Sequence, residues 1–200
     1  FDSGAGSLDM LAGKVIAFGS VVAGVFGAGK LLNMADTYQM TTSRLNLMND
    51  GLQTTEELQK KIVDSALNTH SAYQDTVNAV SKLGITTGDA FSSNDEIIKF
   101  VEQLNKQFVI GGTTVEGQSA AMLQLTQAMA SGVLRGDELN SIYENAPTLI
   151  KSMADYMGVP VEQMRGLAEE GKITTDVIKN GILGASEETN KQFESMGTTF

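Results

Sequence analysis

The sequence contains no cysteine and no tryptophan, and in its 200 residues it has one histidine, His70, and two prolines, Pro147 and Pro160. Without cysteine there is no disulfide, no thiolate nucleophile and no cysteine-ligated zinc. A single histidine also excludes a histidine-rich metal site. Positive charge is the scarcer sign, with 14 Lys and Arg against 24 Asp and Glu, for a net charge of −10. Such a surface repels the phosphate backbone, so no specific nucleic-acid binding is expected. What remains is ample for a core: 42% of the residues are hydrophobic, which excludes wholesale disorder. The length allows one ordinary domain or two small ones. Glycine is common at 21 and unevenly placed, with seven in the first 30 residues. The chain opens on Phe1 rather than Met, which reads as a piece of a longer protein or a processed product.

Apolar residues recur at helical spacing almost throughout. Leu31, Met34, Tyr38, Leu45 and Met48 share a face, ended by Asn49-Asp50-Gly51. Thr54 with Glu57 is a capping-box start for a helix burying Leu58, Ile62, Ala66 and Leu67. Tyr73, Val77, Val80 and Leu83 form the next stripe, with Gly84 as its predicted stop. Ser93 with Glu96 opens a helix that turns Ile97, Ile98, Val101, Leu104 and Phe108 inward and closes at Gly111-Gly112. Shorter units follow. Met122, Leu125, Met129 and Val133 make one stripe, and Leu139, Ile142 and Tyr143 another. Pro147 fits a first helical turn, where its missing N–H is no loss. That helix runs through Leu149, Ile150, Met153, Ala154 and Met157 to Gly158. Pro160 starts a helix with Val161, Met164, Leu167 and Ala168 inward, ended by Gly171. Thr174 caps a last helix through Val177, Ile178 and Ile182 towards Phe193. Only Phe108-Val109-Ile110 and Lys172-Ile173-Thr174 could be short extended pieces. The predicted fold is all-α, a multi-helix bundle of short helices preceded by an apolar Gly-rich N-terminal helix. The predicted domains are residues 1–34 and 35–197, with a sub-boundary near 111–113.

Several motifs suggest chemistry and fail on inspection. Gly24-Val25-Phe26-Gly27-Ala28-Gly29-Lys30 matches the first seven positions of a phosphate-binding loop. The eighth, which should be Ser or Thr to hold magnesium, is Leu31, and the chain lacks the β–α alternation that such a site needs. Arg135-Gly136-Asp137 spells an integrin-binding tripeptide, but it lies between two helical stripes, with Asp137 placed to cap. Pro160 to Ile182 has helix-turn-helix rhythm, yet its second helix offers Lys179 and Lys191 against Asp176, Glu187, Glu188 and Glu194. His70 lies at a predicted helix end with no pattern of nucleophile and orienting carboxylate around it. Glu56-Glu57, Glu169-Glu170 and Glu187-Glu188 are neighbours that diverge by about 100° on a helix, so they read as solvated faces rather than an acid/base pair. Met122, Met129, Met153 and Met157 fall on apolar stripes and read as core. No catalytic, cofactor-binding or metal-binding residue is assigned, and no cofactor is expected.

The N-terminal run is distinct. Val15 to Gly29 is uncharged, and Ser20/Gly24 and Ala23/Gly27 are small residues four apart, a spacing that lets helices approach closely. A membrane-spanning helix needs about 20 apolar residues, although Lys14 and Lys30 could snorkel outward. The candidate contact residues are Val15, Ile16, Phe18, Ser20, Val22, Ala23, Gly24, Phe26 and Gly27. They suit helix–helix association or core burial, then membrane contact, then a secretion signal, in that order. A membrane-active segment attached to a helical protein-interaction domain is thus an alternative reading.

From Ala35 onward the chain carries an ordered set of blocks: Ala35-Asp36-Thr37-Tyr38 with Arg44-Leu45, then the stretch from Ala121 to Ser141, which reads AMLQLTQAMASGVLRGDELNS, then Glu144-Asn145-Ala146-Pro147, Met157-Gly158-Val159, Glu170-Gly171-Lys172-Ile173-Thr174 and Phe193 to Phe200. Taken together and in this order, they resemble the N-terminal domain of phage tail tape measure proteins: the first block looks like that family's opening helix, and the second is similar to its most recognisable part. The resemblance implies a non-enzymatic structural protein of the tail of a phage, prophage or phage-tail-like particle. It would help set tail length and organise tail-tube assembly, and could aid genome delivery across the host membrane. The implied partners are tail-tube proteins and tail assembly chaperones, with self-association and host-membrane contact as further expectations. The implied location is the interior of the virion tail, after assembly in the host cytoplasm.

Overall fold

A computed structural model describes residues 34–197, with side chains from residue 40 onward. These residues divide between two units at Leu47 and Met48. The first described element, α1 (Met34–Met48), crosses that division. The second unit carries α2 (Thr55–Asn68), α3 (Tyr73–Thr87), α4 (Asn94–Ile110), α5 (Val115–Ser131), α6 (Gly136–Asn145), α7 (Pro147–Met157), α8 (Met164–Glu169), α9 (Thr175–Gly184) and α10 (Ser186–Ser195). Short 3-10 turns occupy Gly88–Ala90 and Val161–Gln163. The described residues are therefore all-α, as the periodicity predicts.

Local chemistry sets the helix starts. Thr54 Oγ1 accepts from the Glu57 N–H at 3.2 Å while Glu57 Oε2 accepts from the Thr54 N–H at 2.8 Å, a complete capping box. Ser93 caps α4 by accepting from the Glu96 N–H, but Glu96 reaches back to the Ser92 N–H, one residue earlier than the predicted box. Thr114 and Thr174 cap α5 and α9. Asn49 and Asp50 each fold their side chain back onto the N–H two residues on, a pair of Asx turns that ends α1. Asp50 Oδ2 also accepts from the Asn94 N–H at 2.8 Å and ties that turn to the start of α4.

Helix α4 is the hub of the second unit, packing against α2, α3, α7, α9 and α10. Its Phe100, Val101, Leu104 and Phe108 are fully buried, and Phe91 meets Phe100 edge to face at 5.4 Å. Ile62 and Leu58 of α2, Leu83 of α3, Leu125 of α5 and Ile150 and Met153 of α7 complete this core.

The structure corrects several local expectations. Gly84 does not stop α3, which continues to Thr87. A Cβ added at Gly84 would lie 2.5 Å from Met48 Cε, so this glycine serves close packing. Leu67 is half-exposed rather than core. Phe108-Val109-Ile110 is helical. Of Lys172-Ile173-Thr174, Thr174 is extended: Val133 and Thr174 form an isolated antiparallel bridge, with the Leu134 N–H donating to the Ile173 carbonyl at 2.8 Å. Val133 therefore lies beyond α5, which ends at Ser131 with Gly132 as its left-handed cap, and the apolar buried face of α5 is Ala121, Leu125, Ala128 and Met129. Asp137 does not cap α6; Glu138 accepts from the Arg135 N–H at 2.9 Å and does so instead. The final helix is two helices, broken at Ala185.

Candidate functional site

The candidate residues Val15, Ile16, Phe18, Ser20, Val22, Ala23, Gly24, Phe26 and Gly27, together with the incomplete phosphate-loop motif to Lys30, lie outside the described residues. Among the described residues, no helix is long and apolar enough to cross a membrane. No group of three or more His, Asp or Glu among them is placed to hold a metal ion.

The motifs that fall within the described residues have structural roles. His70 follows the end of α2 in the left-handed conformation, φ 53°, and stacks on Phe193 with ring centroids 5.9 Å apart. In Arg135-Gly136-Asp137, Gly136 and Asp137 are already the first turn of α6. Lys179, counted above as a possible phosphate contact, donates to the Ala90 carbonyl at 2.8 Å. Other basic groups have carboxylate partners: Lys61 with Asp95 at 2.7 Å and Lys106 with Glu102 at 2.7 Å. Tyr143 donates to the Val161 carbonyl at 2.7 Å and lies under Arg165, pinning the 3-10 turn before α8. Burial pushes its phenol above the ordinary value.

Three carboxylates titrate below their ordinary range, each for a structural reason. Glu57 is lowered first by the Thr54 N–H, and Glu96 first by the Ser92 N–H. Asp95 is lowered first by its hydrogen bond with Lys61. All three stay ionised to stabilise helix starts; the Thr54 hydroxyl that donates to Glu57 Oε2 at 2.9 Å belongs to the capping box.

A cleft of about 340 Å³ lies between the C-terminal half of α4, α7 and the α9–α10 joint. Its polar groups are arranged around Gln107. Ser152 Oγ donates to Gln107 Oε1 at 3.1 Å, Gln107 Nε2 donates to Thr189 Oγ1 at 3.3 Å, and Thr148 Oγ1 donates to the Gln107 carbonyl at 3.2 Å. Ser152 thus faces an amide, which takes no proton, so the cluster has no base to activate the hydroxyl. Its groups hold α4, α7 and α10 together.

One feature of the exposed surface was missed by motif reading. Gly117 to Leu134 is an 18-residue run without a charged side chain, and α5, which it fills, keeps part of that run at the surface. Leu123, 42% exposed, is an apolar residue of that exposed part. A count of charge spacing would have found this run, which is longer than Val15 to Gly29.

Capped short helices joined by polar clusters define a helical domain. The model of the tape measure protein family matches residues 29–200, and the chain belongs to that family. No curated protein and no solved structure matches it. Members of the family are structural proteins of phage tails, so this chain is a phage tail component with a tape measure role. The match begins at Gly29, after the candidate contact residues Val15 to Gly27.

Proposed function

We infer that the chain helps set tail length and organises polymerisation of the tail tube around it. The carrying observation is the family match over 29–200. Tail-tube subunits and tail assembly chaperones are its partners on this reading, self-association is a further contact, and the interior of the virion tail, reached after assembly in the host cytoplasm, is its location. Cross-linking mass spectrometry of tails caught during assembly tests the partners. Links from exposed lysines such as Lys60 and Lys151 to tube subunits or a chaperone are expected. A particle that contains the chain but yields links to neither contradicts the reading.

The uncharged run Val15 to Gly29 supports a second role, contact with the host membrane during genome delivery. Co-sedimentation of the full chain with anionic lipid vesicles, lost on removal of residues 1–30, is the expected result. Equal sedimentation of both forms, or of neither, overturns the membrane role.

A further inference from the structure

Among the described α-helices, α10 alone buries no apolar side chain; Thr189 is its one buried residue. It docks on α4 through side-chain hydrogen bonds. Gln107 Nε2 donates to Thr189 Oγ1 at 3.3 Å, and Gln103 Nε2 and Lys106 Nζ donate to Asn190 Oδ1 at 3.2 and 2.8 Å. Phe193 adds an aromatic contact, stacked on His70 and with Lys106 Nζ 5.8 Å from its ring centroid. Water can replace each of these hydrogen bonds, so α10 is held on α4 only by their modest net worth and the Phe193 contact. The dock is also incomplete: Gln103 Oε1 is buried without a hydrogen-bond partner, a penalty that solvent would relieve.

The joint is as permissive as the dock. One residue, Ala185, separates α9 from α10, and its angles of φ −80° and ψ 1° are a small step from helical. It offers α10 no side-chain cap. The backbone ladder passes from the Ala185 N–H on Gly181 to the Thr189 N–H on Ala185. A straight helix would add the intervening bonds from Ser186, Glu187 and Glu188 to Ile182, Leu183 and Gly184. No proline blocks that continuation.

We propose that the α9–α10 joint is a hinge, at which α10 swings off α4 and continues α9 as one straight helix, Thr175–Ser195, uncovering the Gln103–Gln107 amide row of α4. The straight helix is about 31 Å long. It trades three water-replaceable side-chain bonds for three backbone bonds, and it opens the cleft between α4 and α7. The domain thereby has two arrangements of this helix, one docked on α4 and one extended.

The lack of cysteine makes the test direct. Spin labels on Lys99→Cys and Lys191→Cys, both exposed positions, report the α4–α10 separation in the full chain. Two populations of distance are expected. Thr189→Ala, which removes the central contact, should raise the longer one several-fold with helix content by circular dichroism unchanged. Ala185→Gly, which penalises a helical residue only in the straight form, should lower it about fivefold. A single short distance in all three proteins overturns the hinge. So does loss of helix content in Thr189→Ala with a broad spread of distances, because α10 would then unfold rather than straighten.

Discussion

At the scale of single residues, two glycines of α9 show how little separates a stabilising change from a damaging one. A Cβ on Gly181 would sit 3.0 Å from Met153 Cα, a backbone atom of α7 that cannot turn aside, whereas one on Gly184 meets nothing within 4 Å. Alanine favours the helix over glycine by about 1 kcal/mol in either place. Gly184→Ala keeps most of that gain. Gly181→Ala forces α7 and α9 apart and loses about 1–3 kcal/mol. Urea denaturation of the two variants beside the parent chain checks the pair; equal shifts would show that α7 and α9 do not approach as closely as described. Gly84 follows the same rule. Its neighbour is the flexible Met48 side chain at its nearest point, but Met48 Cβ also lies within 2.9 Å, so Gly84→Ala is destabilising as well.

At the scale of elements, caps decide where helices begin. Thr54→Ala removes the acceptor for the Glu57 N–H and should cost about 1 kcal/mol, read as a lower denaturation midpoint with an unchanged slope. That cap was legible because Thr54 and Glu57 interact across three residues of chain. The core face of α4 was legible for a similar reason: a periodic stripe is a local pattern. What the sequence could not show depended on distant partners. Gly84 looks like a stop until Met48 is packed against it. Leu67 fits the stripe of α2 but no element covers it. The break at Ala185 has only weak local signals, Gly184 before it and the Ser186 hydroxyl donating to the Leu183 carbonyl across it, while Thr189 and Asn190 beyond it dock on α4. Leu134, fully buried, was missed because it follows the αL turn at Gly132, where helical spacing no longer applies. The candidate helix-association or membrane-contact residues Val15 to Gly27 were chosen from the uncharged run and the spacing of small residues, and they stand outside the described structure.

At the scale of the whole molecule, three lowered carboxylates make stability fall as the pH drops. Glu57, Asp95 and Glu96 are lowered in the folded state, so between their folded and unfolded pKa values the unfolded chain binds more protons. Their contribution is fully present above the ordinary glutamate value of 4.5 and disappears as the pH falls through the folded values. Thermal denaturation should show a plateau near neutrality and a decline below about pH 4.5, shallower in Glu57→Gln. A midpoint independent of pH over that range would mean that these contacts do not form.

The family assignment makes the chain a tail component, and the length-setting role can be measured with a ruler of its own. Electron microscopy of tails from phage carrying an in-frame deletion or duplication of residues 35–197 gives the tail length directly. A tape measure role predicts shorter tails from the deletion and longer ones from the duplication, with a change of about 240 Å if these residues lie as extended helix in the finished tail. A change of only tens of ångströms would still mark the chain as a ruler, with this segment remaining folded. Tails of unaltered length in both variants would contradict it.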